Sequence, residues 1–246
     1  MRHLFRIIQR AVGLGSHQEY IPAVDTDPAV QLEIKCKIMS EQNQIPLDIS
    51  LTKAKFVVFD LETTGLSPYN GDEIISVSAV TIENGQIQKD SFFDHLVNPH
   101  RTIPPTITEL TGISSQMADS SPSILDVLNE FLSFTRGSIL VAHHAEFDLG
   151  FINLKLKQSC NTRITNPVID TLSLANAILT EEKRHSLDSL IQYYQISSAG
   201  RHTSLGDALI TAEILLKMLK HFSSRGVKTI QDLNNYVYWK SHQSVL

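Results

Sequence analysis

The sequence predicts an α/β fold, with a mixed β-sheet of three antiparallel strands plus parallel strands, flanked by α-helices. The first indication is a set of three β-rich segments within residues 56–97, two of them separated by the hairpin signal Asn84-Gly85. The second is the alternation of short β-rich and longer helical segments that follows. Hairpin-linked strands run antiparallel and strands joined through a helix run parallel, so one sheet should contain both kinds.

Each element is predicted from its own residue pattern. The strands are short runs rich in β-branched and aromatic residues, at residues 56–59, 74–82, 87–97, 138–142 and 167–169. The helices have apolar residues at helical spacing, at residues 124–134, 146–156, 172–179, 187–194 and 205–219. A further short helix follows Pro104-Pro105 and is expected to end at Gly112, since glycine readily adopts the left-handed backbone that closes helices.

The chain divides into three parts. Residues 1–50 lack clear periodicity and form an N-terminal extension, interpreted either as a docking helix with a linker or as a packed appendage. Arginines recur there every four residues from Arg2 to Arg10, so a helix would place them on one face, suited to a partner or a membrane surface. Residues 51–222 form the α/β domain, and residues 223–246 form a C-terminal tail packed on it or extending from it.

Composition narrows the function classes. No apolar run is long enough to cross a bilayer, and Cys36 and Cys160 match neither a disulfide framework nor a thiolate metal site, so a cytoplasmic protein is predicted. The net charge of −5 argues against a protein that coats duplex DNA through its phosphates. It leaves open a pocket that grips a few terminal nucleotides, where bound metal ions supply the positive charge.

A pair of acids marks the end of the first predicted strand. Asp60 and Glu62 are two residues apart, so both carboxylates project from the same face of the strand. Two such acids repel each other unless a cation lies between them. Thr63, Thr64 and Gly65 then turn the chain and bring backbone N–H groups close to the acids. The alternative is a solvated strand end, which is common.

Two further acids begin predicted helices. Asp148 follows the strand at residues 138–142, and Asp207 starts the helical pattern of residues 205–219. Each has an ordinary alternative role, because an acid in a first turn offsets the helix dipole and Ser204 with Asp207 has the spacing of a capping box. Neither acid alone indicates a function.

His202 precedes Asp207 by five residues. On one helix this spacing would turn the two side chains about 140° apart, so a shared site requires His202 to lie in the preceding loop. Residues 197–200, Ser-Ser-Ala-Gly, supply a flexible segment for such a loop. A mobile histidine beside a carboxylate suits a general base that engages once substrate is bound.

The combined order is Asp-x-Glu on a strand, Asp on a helix and His-x4-Asp at a last helix. This order resembles the DEDD-type, DnaQ-like exonuclease superfamily in its histidine-containing DEDDh branch, over residues 55–219. The resemblance implies an RNase H-like fold, with residues 51–222 as a 3′–5′ exonuclease domain that releases nucleoside 5′-monophosphates. By position it assigns His202 as the general base and four acids as both catalytic and metal-binding, namely Asp60, Glu62, Asp148 and Asp207.

The resemblance also implies a cofactor and a nucleotide pocket. Four oxygen ligands without thiols favour Mg²⁺, or Mn²⁺ in its place, over Zn²⁺, and two ions per site are expected. The residues that would border the terminal nucleotide are Thr63, Thr64, Gly65, Leu66, Leu110, Thr111, His144 and Phe147. Ordinary packing is an equal alternative for Leu66 and Leu110, and core packing is favoured for Phe147. Many relatives carry Asn at the position of His144, so the effect of this histidine on nucleotide positioning is open.

The expected substrate is a single-stranded or frayed 3′ end. The segment Thr111-Gly112-Ile113 resembles the proofreading exonucleases of bacterial DNA polymerase III, including its epsilon subunit, which favours DNA in proofreading or repair. Trimming of RNA or oligonucleotides is the first alternative, and a non-catalytic nucleic-acid-binding module with this fold is the second. The sequence does not resemble a polymerase, so proofreading would require a separate polymerase or another protein partner.

Overall fold

The computed structural model describes residues 27–41, 45–179 and 185–243. Within them one five-stranded sheet has the order β3-β2-β1-β4-β5. The strands are β1 (Phe56–Thr63), β2 (Ile74–Glu83), β3 (Gln86–Leu96), β4 (Ile139–Ala142) and β5 (Val168–Asp170). Strands β1 to β3 pair antiparallel, whereas β4 pairs parallel with both β1 and β5. The predicted mixed sheet is confirmed.

Helices flank the sheet on both sides. The described helices are α1 (Pro28–Glu41), α2 (Pro105–Thr111), α3 (Ser115–Asp119), α4 (Ile124–Phe134), α5 (Ala145–Cys160), α6 (Thr171–Ile178), α7 (Leu187–Tyr194), α8 (Ser204–Ser224) and α9 (Ile230–Gln243). Helices α4 and α7 match their predicted limits residue for residue. Helix α2 ends at Gly112, whose φ of 76° is left-handed, as predicted.

The sheet separates two hydrophobic cores. Val57 and Phe59 of β1 face a core shared with α1, α4 and α5, while Phe56 and Val58 face a core shared with α8 and α9. Successive side chains of a strand point to opposite faces, so the two even-numbered residues define one row. The β1 acids at positions 60 and 62 continue that row. The alternation of β1 therefore directs both acids to the face that α8 covers.

Both ends of the described chain pack on the domain. Helix α1 lies within the predicted extension, and it buries Ile34 and Ile38 against the core that contains α4 and α5. Helix α9 lies within the predicted tail and buries Ile230 and Leu233 in the other core. The arginine-rich stretch from Arg2 to Arg10 lies outside the described residues. None of the described helices is long and apolar enough to span a membrane.

Candidate active site

Three acids meet at the carboxyl end of β1. Asp60 and Glu62 extend from the strand, and Asp207 comes from the first turn of α8. One ligand oxygen from each lies within 4.8 Å of the other two. Helix α8 packs across β1 and β2, so its first turn reaches the end of the strand where the acid pair lies. These three residues are called the acid cluster below.

Asp148 lies beside the acid cluster but outside its 4.8 Å limit. It belongs to the first turn of α5 and is buried, and burial raises its pKa although the nearby backbone N–H of Leu61 in β1 lowers it. Seven residues later on the same helix, Lys155 forms an ion pair with Glu73 at the start of β2, with 2.7 Å between Nζ and Oε1. This partly buried ion pair ties α5 to the residue directly before β2.

The acid cluster is electrostatically strained. Burial raises the pKa of Asp60 well above its usual value, and repulsion from Asp148, Asp207 and Glu62 raises it further. Burial is the larger cause and repulsion from Asp207 the smaller one that together raise the pKa of Glu62 to about 7. Such shifts arise where like charges share a partly desolvated space. The cluster therefore calls for a cation.

The donor set fits a hard divalent cation. The cluster presents carboxylate oxygens and no thiol, which is the set that Mg²⁺ and Mn²⁺ prefer. Asp207 supplies a second observation, since its Oδ1 is buried and has no hydrogen-bond partner among the described residues. A buried carboxylate oxygen without a donor is costly, and a metal ion would satisfy it.

An arginine that the sequence analysis did not single out is bonded to the acid cluster. Arg201 Nη1 lies 2.5 Å from Asp207 Oδ2, and its Nε lies 2.8 Å from Asp188 Oδ1 on α7. Its positive charge lowers the pKa of both Asp60 and Glu62, although burial outweighs it. In the sequence, the only sign of a role for Arg201 is that it forms a basic pair with His202 shortly before Asp207.

His202 lies in the loop before α8, as the spacing argument requires. Its side chain is exposed and its φ of 65° is left-handed. The alternative of a capping box from Ser204 to Asp207 does not hold, because Thr203 accepts the N–H of Gly206 at 3.1 Å and Ser204 is already helical. The loop that carries His202 packs closely against the first turn of α8. A Cβ added at Gly206 would stand only 1.9 Å from the carbonyl oxygen of Gly200.

The turn after the β1 acids is organised around the carboxylate of Asp72. The hydroxyl of Thr64 donates to Asp72 Oδ1 at 3.3 Å, and a Cβ at Gly65 would stand 2.4 Å from Asp72 Oδ2. Thr63 is buried and donates its hydroxyl to the carbonyl of Gly65 at 2.6 Å. Leu66, in contrast, is 80% exposed. Packing therefore does not account for Leu66.

The remaining predicted pocket residues behave differently from one another. Leu110 is 51% exposed at the end of α2, so packing does not account for it either. The hydroxyl of Thr111 donates to the carbonyl of Ile107 at 2.8 Å, which makes this side chain part of the α2 framework. The ring of Phe147 packs on Phe151 at 5.2 Å between centroids, in agreement with the favoured core role.

The two histidines before α5 have distinct environments. His144 is exposed with a left-handed φ of 63°, a conformation in which His, like Asn and Asp, is found more often than most residues. Its backbone N–H donates to Asp170 Oδ1 at 2.9 Å. His143 Nδ1 lies 3.0 Å from the hydroxyl of Thr171, and burial lowers the pKa of this imidazole. Asp170, which the sequence analysis did not single out, thus fixes the backbone just ahead of Asp148.

The family model described as Exonuclease (RNase_T) matches residues 57–215, which include all four predicted acids and His202. The chain belongs to the RNase_T exonuclease family. The match spans well over half of the chain and confirms the family predicted from the three motifs.

Relatives of this exonuclease carry the names of replicative polymerases. One is the DNA polymerase III PolC-type protein of Caldanaerobacter subterraneus subsp. tengcongensis, 42% identical over 183 residues, which are 74% of this chain and 13% of the relative. Another is the DNA polymerase III subunit epsilon-like protein of Rhodobacter capsulatus, 42% identical over 188 residues, which are 76% of this chain and 26% of the relative. The chain thus corresponds to a small part of each of these longer proteins.

Solved structures confirm the fold. Exonuclease X in complex with 5′ overhanging duplex DNA superposes with a TM-score of 0.58 at 23% identity, covering 74% of this exonuclease and 99% of that chain. The nuclease domain of 3′hExo, a DEDDh family member bound to rAMP, superposes with a TM-score of 0.62 at 18% identity, covering 70% and 95%. The RNase H-like fold predicted for residues 51–222 is the fold of these nucleases.

Proposed function

We propose that the chain is a divalent-metal-dependent 3′–5′ exonuclease that removes nucleotides from DNA 3′ ends. The observation that carries the proposal is the acid cluster, in which three carboxylate oxygens lie within 4.8 Å of one another and one buried oxygen of Asp207 lacks a donor. Repulsion of this kind is tolerated when a bound cation is part of the working state. The family supports the hydrolytic activity.

Asp60, Glu62 and Asp207 would hold the metal, with Asp148 as the fourth ligand residue. Mg²⁺ is the proposed ion, with Mn²⁺ able to replace it, and two ions suit four carboxylates. When bound, the ions supply positive charge to the scissile phosphate and acidify a bound water. The protein contributes the rigid end of β1, the first turn of α8 and the first turn of α5, which together keep the four acids in place.

His202 is the proposed general base. Its exposed ring stands on the loop directly before the helix that carries Asp207, so it can approach a water molecule next to the acid cluster. The imidazole takes a proton from this water, the water oxygen bonds to the terminal phosphorus, and the bond to the 3′ oxygen of the preceding nucleotide breaks, with that oxygen taking up a proton from solvent. The products are a nucleoside 5′-monophosphate and a strand shortened by one nucleotide. General-base help of this kind is worth about 10²–10⁴-fold.

The terminal nucleotide would be held at the turn after β1. Leu66 and Leu110 are exposed apolar side chains, and such side chains suit contact with the faces of unpaired bases. The backbone of Thr63, Thr64 and Gly65 would contact sugar and phosphate. His144, exposed at the start of α5, would approach the same nucleotide where other family members use Asn.

The proposed biological role is proofreading or repair of DNA, together with a polymerase or another protein partner in the cytoplasm. The support is the 42% identity to proteins named as DNA polymerase III PolC-type and epsilon-like. RNA trimming is the second candidate, because the structural neighbour 3′hExo is bound to rAMP.

The test is digestion of 5′-labelled single-stranded DNA and RNA of one sequence, with Mg²⁺ or Mn²⁺ and with Asp60→Asn as control. We expect a ladder that shortens from the 3′ end on DNA, is slower on RNA, and is absent in the variant or when the 3′ end is blocked. Faster digestion of RNA would replace DNA as the substrate. If the folded protein binds the strand but leaves both polymers intact with either metal, it is a non-catalytic binding module.

A further inference from the structure

Three buried serine hydroxyls meet beneath the acid cluster. Ser204 Oγ lies 2.6 Å from both Ser76 Oγ and Ser78 Oγ, and none of these residues is more than 3% exposed. Ser204 is the first residue of α8, while the other two lie on β2. We call these residues the serine cluster. Because all three side chains are buried, their hydroxyls need hydrogen-bond partners within the protein, and Ser204 bonds to both of the others.

The hydrogen bonds of the serine cluster run in one direction. Ser78 donates to Asp94 Oδ1 on β3 at 2.6 Å, and a hydroxyl has only one proton to donate. Ser204 must therefore donate to Ser78, and Ser76 must donate to Ser204. The chain of donors thus runs from Ser76 through Ser204 and Ser78 to the carboxylate of Asp94. Aligned chains of this kind strengthen each member, and a charged acceptor at the end strengthens them most.

The serine cluster connects the two parts of the acid cluster, namely the acids of β1 (Asp60 and Glu62) and the acid of α8 (Asp207). In the β1–β2 ladder Ser78 pairs with Asp60 and Ser76 pairs with Glu62, so each serine shares a face with one of the strand acids. Ser204 precedes Asp207 by three residues and therefore lies one helical turn away on the same side of α8. One hydroxyl on α8 is thus fixed to the two strand positions that neighbour both acids of β1.

We propose that the serine cluster, terminated by Asp94, sets the position of Asp207 relative to Asp60 and Glu62, so that Asp94 is a positioning residue for the metal site. The inference rests on the proposed metal-dependent function. Asp94 is two strands away from β1, about 10 Å at the usual spacing between strands. It is exposed, so replacing it leaves both cores intact. Its effect would reach the metal site only through the hydroxyl chain.

The experiment measures Mn²⁺ binding to the full chain by isothermal titration calorimetry, with the melting temperature of each metal-free variant recorded alongside. Asp94→Ala removes the terminal acceptor, whereas Asp94→Asn keeps an oxygen that can accept from Ser78. Asp90→Ala removes a different exposed carboxylate from the same strand and serves as the charge-matched control. Ser204→Ala breaks the chain at its centre, and Ser138→Ala removes a buried hydroxyl at the opposite end of the sheet as its control.

We expect Ser204→Ala to weaken Mn²⁺ binding about 10-fold and Asp94→Ala about 3-fold, as losses of supporting hydrogen bonds near a metal site do. Asp94→Asn should weaken Mn²⁺ binding less than Asp94→Ala does, because its neutral oxygen still accepts from Ser78, while Asp90→Ala and Ser138→Ala should leave the affinity unchanged. Equal affinity of Asp94→Ala and Asp90→Ala in a wild-type background that binds Mn²⁺ would overturn this inference alone. Absence of Mn²⁺ binding to the wild-type protein would overturn the proposed metal site and, with it, this inference.

Discussion

The two parts of the acid cluster are held in place by different means. Asp60 and Glu62 stand on β1, where pairing with β2 continues through both positions and pairing with β4 fixes the strand just before them, at residues 56–58. Asp207 stands at a junction between a loop and a helix, fixed by the Thr203 cap, the close contact at Gly206 and the serine cluster. The strand part is rigid because of the whole sheet, whereas the helix part depends on a few specific contacts. Single substitutions should therefore misplace Asp207 far more easily than the strand acids.

The largest expected effect comes from the strand part. Asp60→Asn removes one of the proposed metal ligands. Loss of a residue that only supports a ligand costs about 10–100-fold, so loss of the ligand itself should lower activity by more than about 10²-fold. The same variant should raise the melting temperature of the metal-free protein, since it removes a buried charge from the repelling cluster. Hydrolysis rates and thermal melts in chelator check both signs.

Exposed Asp119 on α3 supplies the control substitution, Asp119→Asn, which should change neither quantity. Near wild-type hydrolysis by Asp60→Asn would remove Asp60 from the metal site. A lower melting temperature of this variant in chelator would instead show that repulsion does not dominate the cluster.

The next largest effect distinguishes the role of the loop that carries His202 from the role of the metal site. His202→Ala should lower the single-turnover rate by about 10²–10⁴-fold, because the general base is lost. Mn²⁺ binding by calorimetry should stay unchanged, since the exposed ring does not belong to the acid cluster. A variant that binds metal more weakly but cleaves at the normal rate would assign His202 to the metal site in place of the base role.

Gly206→Ala tests whether a few contacts hold the helix part. The new Cβ would stand 1.9 Å from the carbonyl oxygen of Gly200, so the loop that carries Arg201 and His202 must move away from α8. Misplacement by about 1 Å can cost about 10²-fold in rate, and a loss of about 10–100-fold is expected. The measurement is the single-turnover rate at saturating Mg²⁺.

Gly150→Ala on α5 is the matched control for this substitution. A Cβ there has open space, and alanine is favoured over glycine within a helix by about 1 kcal/mol. The control should melt at a higher temperature and cleave at the normal rate. If Gly206→Ala also cleaves normally, the geometry of the loop is not required for the reaction.

Arg201→Gln should destabilise the metal-free protein more than the metal-bound one. The guanidinium neutralises part of the acid cluster through Asp207, and a hydrogen bond to a charged group is worth about 1.5–3 kcal/mol. Bound metal takes over this neutralisation, so the rise in melting temperature on adding Mg²⁺ should be larger in the variant than in wild type. Asp188→Asn keeps Arg201 but weakens its anchor on α7, and it should shift in the same direction by less.

The smallest effect is the dependence of stability on pH without metal. The pKa of Glu62 is raised from its ordinary 4.5 to about 7, so the folded chain holds a proton that the unfolded chain has lost. The stabilisation from this proton is fully present below pH 4.5 and is lost as the pH rises through about 7. Melting temperatures in chelator should fall between about pH 5 and about pH 8, and saturating Mg²⁺ should flatten the profile. Glu62→Gln should make the fall smaller without metal but not abolish it, since the pKa of Asp60 is also raised.

The strand part of the site was predictable and much of the helix part was not. The spacing of Asp60 and Glu62 on a strand fixes their common face, and the loop position of His202 follows from helical geometry. Ser204 bonds to serines on a strand far away in the sequence, and the bonds of Asp94 to Ser78 and of Arg201 to Asp207 depend on strand register and loop shape. The spacing of these residues gives no sign of those contacts. The same holds for the fold, since α4 was predicted from its periodicity whereas α1 was missed.

The failure at α1 has a physical reason. Its apolar residues do not form one stripe, because Ile34 and Ile38 are buried while Leu32 and Met39 are exposed. Helix α9 was missed in the same way, since Tyr238 and Trp239 remain exposed beside buried Leu233. A helix whose apolar residues are divided between core and solvent gives a weak periodic signal.

The two cysteines differ in a way that is useful at the bench. Cys36 is exposed on α1, whereas Cys160 is buried at the end of α5 and burial raises the pKa of its thiol. Thiolate, not thiol, reacts with maleimide reagents, so an exposed cysteine is modified well before a buried one. Helix α1 packs against the sheet face opposite to α8. A fluorophore on Cys36 would therefore leave the acid cluster clear. It would report on the binding of a nucleic-acid strand in the otherwise unaltered protein.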